Sequence, residues 1–298
     1  MRQILLLFVF IALALLCGAL LSFPLYLLLQ TFTDVPFHKI TSQLSSLCGL
    51  VFIFLYLKFN NILNRTTAGF NLAQTFISRD IFTGVVQGMM IIFVLIIIFL
   101  FLGIHEPEPE LDFNLKFIVV LLIKAMLTGI MVALIEETLY RGALLGGLSK
   151  TTNIPVAIVV SSAIYSAVHF IKYPRVSVDA EIGWATGLEL LSGAFTRFQD
   201  SAIIDSFLAM FAFGVLLALV RLNKGNIIQC MGIHAGVVMA IKIIQDLTDY
   251  VPGNNFEFLV NRYDHLLGYL AFVWLSAIIV IYYRYFSNIP DKHKLMKT

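Results

Sequence analysis

The sequence is poor in charged residues. Of its 298 residues only 13% are charged and 59% are apolar, whereas a soluble domain has roughly 25% charged and 45–50% apolar residues. One water-soluble core cannot bury this much apolar surface, which excludes a soluble enzyme and favours a membrane protein. The formal net charge of +2 also excludes a nucleic-acid-binding surface spread over the chain and an acidic disordered chain.

Cysteine is scarce as well. Cys17, Cys48 and Cys230 each lie within an apolar run, and no C-x-x-C spacing occurs. This pattern excludes a disulfide framework and a thiolate zinc site. It predicts that the three cysteines pack as small buried hydrophobes.

Long apolar runs are abundant. A helix needs about 20 mostly apolar residues to cross the hydrocarbon core, and the chain predicts an all-α, polytopic membrane bundle of about eight such helices. The first run is too long for a secretory signal and lacks a small-x-small cleavage site, so we expect it to be retained. The fourth run is long enough to contain a bend. The predicted spans are 4–29, 44–59, 81–103, 117–147, 154–171, 202–220, 226–243 and 264–286.

The distribution of Lys and Arg predicts the orientation. With the amino terminus inside, the inner segments carry eleven basic residues and the outer segments seven. Basic residues accumulate in cytoplasmic loops. The bias therefore favours a cytoplasmic location for both termini in an integral membrane protein, and we expect this membrane to be the bacterial inner membrane.

Few ionisable residues lie inside the predicted spans. Each costs about 2.5–3.5 kcal/mol at mid-helix on translocon scales, and such residues usually mark functional sites. Lys124 lies near the end of its span, where its stem can snorkel to the headgroups, and is interpreted as structural. Among the other ionisable residues inside the predicted spans are Glu136, Glu137, Arg141, His169 and His234.

Spacing divides the two glutamates. Glu137 and Arg141 are four residues apart, so on a helix they lie one turn apart in the order that suits an ion pair. Glu136 is rotated by about 100° and is free to face another group. His169 and His234, on separate spans, are predicted to be that group. A single buried histidine is more often a packing residue, but two histidines and a glutamate on three spans can converge in a bundle core.

These motifs resemble the CPBP family of intramembrane proteases, which includes CAAX prenyl endopeptidases and the Abi and bacteriocin-processing relatives. The similarity rests on Glu136-Glu137-x-x-x-Arg141 followed by Gly142, on an aromatic-x-x-x-His at 165–169, and on His234 in a glycine-containing helix. It covers about residues 117–243. The chain is then a single membrane domain, 1–298, with peripheral spans and loops in 1–113, a catalytic core in 114–243 and a last span in 264–286.

The resemblance implies a role for each residue. Glu136 would activate the attacking water with help from His169, Glu137 with Arg141 would hold the helix and orient Glu136, and His234 would stabilise the oxyanion. The implied function is an endopeptidase that cuts near a membrane-anchored or carboxyl-terminal segment of a peptide or protein. The partners are then this substrate and the lipid bilayer, with no nucleic acid.

The chain departs from the family pattern at two positions. Tyr165 stands where the family commonly has Phe, and Val238 stands where it commonly has Asn. Loss of one oxyanion donor lowers a rate by about 10²–10³. Val238 therefore motivates an alternative, a proteolytically inactive membrane scaffold or immunity protein of the same family.

Residue types leave the cofactor open. Glu136, His169 and His234 are also a zinc-ligand set, but no H-E-x-x-H motif occurs, and a Glu-His pair can position water unaided. We favour a mechanism without a metal, with zinc as the alternative. An ion transporter is disfavoured because no inverted repeat and no pair of broken helices is visible.

Overall fold

The protein is almost entirely helical. The computed structural model describes residues 2–60, 64–71, 76–109, 114–177 and 181–286. Several lysines of the orientation count, Lys292, Lys294 and Lys297, fall outside these residues. The α-helices are α1 (Arg2–Leu29), α2 (Phe37–Phe59), α3 (Ile77–Phe101), α4 (Leu115–Glu137), α5 (Leu145–Thr151), α6 (Ile154–Val168), α7 (Trp184–Gly193), α8 (Ile204–Lys224), α9 (Ile228–Leu247) and α10 (Tyr269–Phe286).

The predicted membrane spans are confirmed in number. Among the described residues, six helical stretches are long and apolar enough to cross a membrane, and two shorter apolar helices, Ile154–Val168 and Tyr269–Tyr285, bring the total to eight. The chain is an integral membrane protein. The six long stretches are Ile4–Leu29, Phe37–Phe59, Ile77–Phe101, Leu115–Thr151, Ser201–Lys224 and Ile228–Leu247.

The second span begins earlier than predicted, at Phe37 instead of residue 44. Its first turns contain hydroxyl residues that lower the local hydropathy, and two of these, Thr41 and Ser45, are buried in the fold. Thr41 is fully buried and its hydroxyl donates to the Phe37 carbonyl at 3.0 Å. Because the helix satisfies this hydroxyl internally, the segment can continue as a packed helix.

The chain forms two compact units. The first contains Met1–Leu63 and Ala167–Ile203, and the second contains Asn64–Ser166 and Ile204–Thr298. In the first unit α1 packs along α2, and α7 packs on α1. Gly187 of α7 lies directly against the α1 backbone at Ala19, where a Cβ atom would clash.

In the second unit α3 and α9 pack backbone to backbone. Gly84 and Gly88 face the α9 backbone, and Gly232 and Gly236 face the α3 backbone, so that a Cβ atom at any of the four would clash with main-chain atoms. Small residues four apart permit this approach between membrane helices. His234, midway between the last two glycines, points away from α3, since two residues turn a helix by about 200°.

The fourth span is one continuous helical stretch, Leu115–Thr151. Between α4 and α5 it contains a π-helical segment, Thr138–Leu144. Gly142 in this segment lies against the Ala68 backbone, in the loop between α2 and α3. Gly129 of α4 lies against the α9 backbone at Ala235. α4 therefore packs on the helix that carries His234.

A short antiparallel ribbon joins the loops at one end of the second unit. β1 (His105–Pro107) pairs with β2 (Thr248–Tyr250), with His105 opposite Tyr250. The imidazole of His105 is buried and lies 2.9 Å from the His265 carbonyl and 3.1 Å from the Thr248 hydroxyl. The ribbon thus links the end of α3 to the end of α9.

Candidate active site

The two glutamates end the regular part of α4. Glu137 is its last residue, and the π-helical segment begins at Thr138. π-Helical turns inside α-helices are rare, and many of those that occur lie at functional sites. The guanidinium Nη1 of Arg141 lies 3.1 Å from the Glu137 Oε1, which confirms the predicted ion pair.

His234 reaches the two carboxylates from α9. Its Nδ1 lies 2.7 Å from the Glu137 Oε1, while its Nε2 lies 3.8 Å from the Glu136 Oε2. The sequence predicted that Glu136 faces the histidines. His234 does lie near Glu136, but it is closer to Glu137, where one carboxylate oxygen accepts from both Arg141 and His234.

Burial separates the roles that the two glutamates can take. Glu137 is fully buried, and Arg141 and His234 are 2% and 3% exposed, whereas the side chain of Glu136 is 24% exposed. An ion pair this deeply buried is strongly destabilised when one partner is removed. Glu137 is therefore the buried carboxylate of the framework that it forms with Arg141 and His234. Glu136 is the partly exposed carboxylate, although its Oε2 atom is buried.

Aromatic rings enclose the charged group. The guanidinium carbon of Arg141 lies 4.2 Å from the centre of the Tyr165 ring, a cation–π contact that fixes the plane of the guanidinium. Tyr140 meets Tyr165 edge to face at 5.1 Å. Phe213 of α8 meets the His234 ring edge to face at 5.4 Å, so that the imidazole is held on two sides.

Sequence reasoning missed Phe213. It is one apolar residue in an apolar span, and neither charge nor spacing distinguishes it from its neighbours. Tyr165 was singled out only as a departure from a motif, and the structure makes it the surface on which Arg141 rests.

His169 and Val238 complete the set of predicted positions. His169 directly follows α6 and is half-buried; it belongs to the first unit, whereas Glu136, Glu137, Arg141 and His234 belong to the second. Val238 lies one turn after His234 on α9 and is half-buried. Its isopropyl group carries no hydrogen-bond donor.

The described ranges of the chain contain no group of three or more His, Cys, Asp or Glu side chains arranged to hold a metal ion. The clustered residues are two carboxylates, one imidazole and one guanidinium. Since the guanidinium already occupies the Glu137 oxygen that His234 also contacts, this oxygen does not fit a metal ligand. The geometry gives a charge-paired cluster with one accessible carboxylate.

Comparison with protein families identifies the region that carries this cluster. Residues 116–240 match the family described as type II CAAX prenyl endopeptidase Rce1-like. The matched region contains α4, α6, α8 and most of α9, and it confirms the resemblance drawn from the motifs. Neither the curated proteins nor the solved structures gave a match.

Proposed function

We propose that this chain is a CAAX-type intramembrane protease, because residues 116–240 match the Rce1-like family. In this proposal Glu136 is the catalytic base in the hydrolysis of a peptide bond of the substrate. The substrate is a membrane-anchored peptide or protein, cut next to the anchored or carboxyl-terminal segment. The single observation that supports the assignment is the partly accessible Glu136 beside a His234 held by a buried Glu137–Arg141 pair.

The reaction needs a base for water, an acid for the leaving amine and a donor for the oxyanion. Glu136 takes a proton from water while the water oxygen attacks the carbonyl carbon of the substrate. The carbon–nitrogen bond then breaks, and Glu136 returns the proton to the amine nitrogen. One carboxyl group thus serves both steps. The immediate products are a carboxylic acid and an amine, and transfer of the acid proton to the amine gives a carboxylate and an ammonium group.

His234 acts at the oxyanion. The Glu137 carboxylate accepts from Nδ1 at 2.7 Å, which fixes the plane of the ring, as carboxylate partners of histidine do. Because the Nδ1 hydrogen is used in this way, the oxyanion role requires the imidazolium form, in which Nε2 also carries a hydrogen to donate. Nε2 is then turned towards Glu136 and towards the place where the substrate carbonyl lies. Arg141 holds Glu137 in this position and does not contact the substrate.

His169 assists Glu136 in this proposal, on the strength of the family resemblance. No metal-dependent step is included. Dialysis against a chelator is expected to leave the rate unchanged. A rate that falls and returns with stoichiometric zinc would replace the glutamic mechanism with a zinc mechanism.

We also propose the bacterial inner membrane as the location, with both termini in the cytoplasm. The proposal is supported by the excess of basic residues in the inner segments. Fusions of a periplasm-active enzyme to residues 60 and 286 are expected to be silent, whereas a fusion in the β1 loop is expected to be active. The reverse pattern would invert the orientation.

The test of the enzyme is a cleavage assay. The purified protein in lipid nanodiscs is mixed with an internally quenched peptide that ends in a farnesylated CAAX sequence, and with the same peptide without the farnesyl group. Cleavage of the farnesylated peptide is expected, with loss of cleavage in Glu136→Gln and His234→Ala. Glu189→Gln, at an exposed glutamate of α7, is the control.

Val238 supports a second candidate, the proteolytically inactive scaffold. If the unaltered chain cleaves neither peptide nor any membrane-anchored precursor co-expressed with it, and Val238→Asn does cleave, the scaffold is favoured. Any turnover by the unaltered chain that depends on Glu136 excludes it.

A further inference from the structure

A cavity of about 290 Å³ opens between the start of α4 and the end of α9. Lys116, Lys124 and Asp246 bring three charged groups to its wall. Phe117, Val120 and Leu121 supply apolar side chains to the same wall. The cavity is thus charged at some points and apolar at others, and all its residues lie in the second unit.

The three charged side chains are exposed, and within the described parts of the chain none of them forms an ion pair. Two ammonium groups and one carboxylate therefore surround one cavity without neutralising each other. Lys124 lies nine residues after Leu115, about 14 Å along the helix. A lysine at this depth in a span is costly unless its head reaches a polar group.

The helix face next to the cavity is also suited to lipid. Val119, Ile123 and Leu127 of α4 are between 44% and 55% exposed, as side chains that contact acyl chains are. A ligand that fits the site carries an anionic group for the two lysines, a cationic group for Asp246, and apolar chains for this face. A phospholipid with a phosphoethanolamine headgroup has all of these parts.

We propose that this cavity binds the headgroup of a phosphatidylethanolamine, with Lys116 and Lys124 at the phosphate and Asp246 at the ammonium. A phosphatidylglycerol lacks the cation. A phosphatidylcholine carries a cation that donates no N–H hydrogen bond to the carboxylate. The order of affinity is therefore phosphatidylethanolamine first, with the other two weaker.

The lipid site is separate from the candidate active site. Glu136 follows Lys124 by twelve residues on the same helix, about 18 Å along its axis. Substitutions at the cavity leave Glu136 and His234 untouched. Lipid binding can therefore be measured in a Glu136→Gln background, where its outcome does not depend on the proposed peptidase activity.

The experiment titrates the delipidated full-length protein in detergent micelles with each of the three phospholipids, matched in acyl chains, and follows the thermal midpoint. Phosphatidylethanolamine is expected to raise it at the lowest concentration. In the Lys116→Ala, Lys124→Ala double variant its apparent Kd is expected to rise about tenfold, which equals about 1.4 kcal/mol. Asp246→Asn is expected to abolish the preference over phosphatidylglycerol.

Lys242→Ala is the matched control, since this exposed lysine near the end of α9 bonds to Gln245 and does not line the cavity. Lys124→Arg keeps the charge and is expected to keep the binding. Equal shifts with all three lipids, or an unchanged response in the double variant, would overturn the proposal. So would an equal shift produced by free phosphoethanolamine, because the ligand would then not be a lipid.

Discussion

In the described part of the second unit, two buried histidines have different hydrogen-bond partners. His234 is 3% exposed and lies between two carboxylates, at 2.7 Å from Glu137 and 3.8 Å from Glu136. His105 is 6% exposed and lies among neutral oxygens, at 2.9 Å from the His265 carbonyl and 3.1 Å from the Thr248 hydroxyl. Both rings have hydrogen-bond partners, but only His234 has carboxylates as partners.

The two histidines differ in the charge of their hydrogen-bond partners. His105 connects loops, since its ring joins β1 to β2 and to residue 265. His234 joins α9 to an ion pair next to an accessible carboxylate. Burial alone does not distinguish them. The charge of the hydrogen-bond partners distinguishes them.

The largest effect is expected at Glu136. Glu136→Gln removes the proposed base and keeps the shape, so the cleavage rate should fall by about 10²–10⁴, the contribution of a general base. The midpoint of thermal unfolding should change less than in a variant of the fully buried Glu137, because Glu136 is partly exposed. His105→Ala is the comparison variant and should keep the specific activity of its folded fraction. A Glu136→Gln protein that cleaves at the normal rate would disprove the assignment.

The second largest effect is expected at Glu137, the fully buried carboxylate. Glu137→Leu leaves Arg141 buried without its anion, and we expect a loss of about 3–5 kcal/mol in the free energy of unfolding. Unfolding in mixed micelles measures it. Arg79→Ala is the control, because the Arg79–Asp80 pair is 3.8 Å long with an exposed arginine and such pairs contribute about 0–1 kcal/mol. Similar losses in both variants would mean that the buried pair is not a framework element.

The third prediction concerns the packing of α9, the helix that carries His234, against α3. Gly236→Val places a branched side chain against the α3 backbone, and overpacking of this kind costs typically about 1–3 kcal/mol. It also moves α9, so the cleavage rate should fall in the folded protein. Gly49→Val is the control, since a Cβ atom at Gly49 meets nothing within 4 Å. A stable Gly236→Val protein with full activity would show that the α3–α9 contact does not position the site.

The sequence was sufficient for the features that depend on local periodicity. Apolar length predicted the eight membrane helices, and the four-residue spacing predicted the Glu137–Arg141 pair. It could not predict the rotation of α9 about its axis, which turns His234 towards Glu137 first. That rotation is set by the glycine contacts with α3, between residues more than 140 positions apart.

Other features left no distinct trace in the sequence. The π-helical segment Thr138–Leu144 follows no residue pattern that an α-helix would not also show. Phe213 is one apolar residue among many. The roles of His169 and the predicted division of the chain at residues 113 and 114 stay predictions.

The smallest effect tests His105. Burial is the main cause that lowers the pKa of His105 below its usual 6.5. The electrostatic effect of the His265 ring also lowers this pKa, whereas the His265 carbonyl, Asp249 and Asp264 raise it. Below pH 6.5 the unfolded chain therefore binds the proton first. The contribution of His105 to stability is complete above this pH and declines below it, by at most about 1.4 kcal/mol per pH unit.

Unfolding measured between pH 7.5 and pH 5 checks this slope. His105→Gln cannot take up the proton and should flatten the dependence, whereas Thr248→Val removes a hydrogen-bonding partner at 3.1 Å and should lower stability at every pH without changing the slope. The two variants separate titration of the ring from loss of a contact. If His105→Gln keeps the full slope, another group titrates, and the pH dependence would not come from the ring that has neutral hydrogen-bond partners.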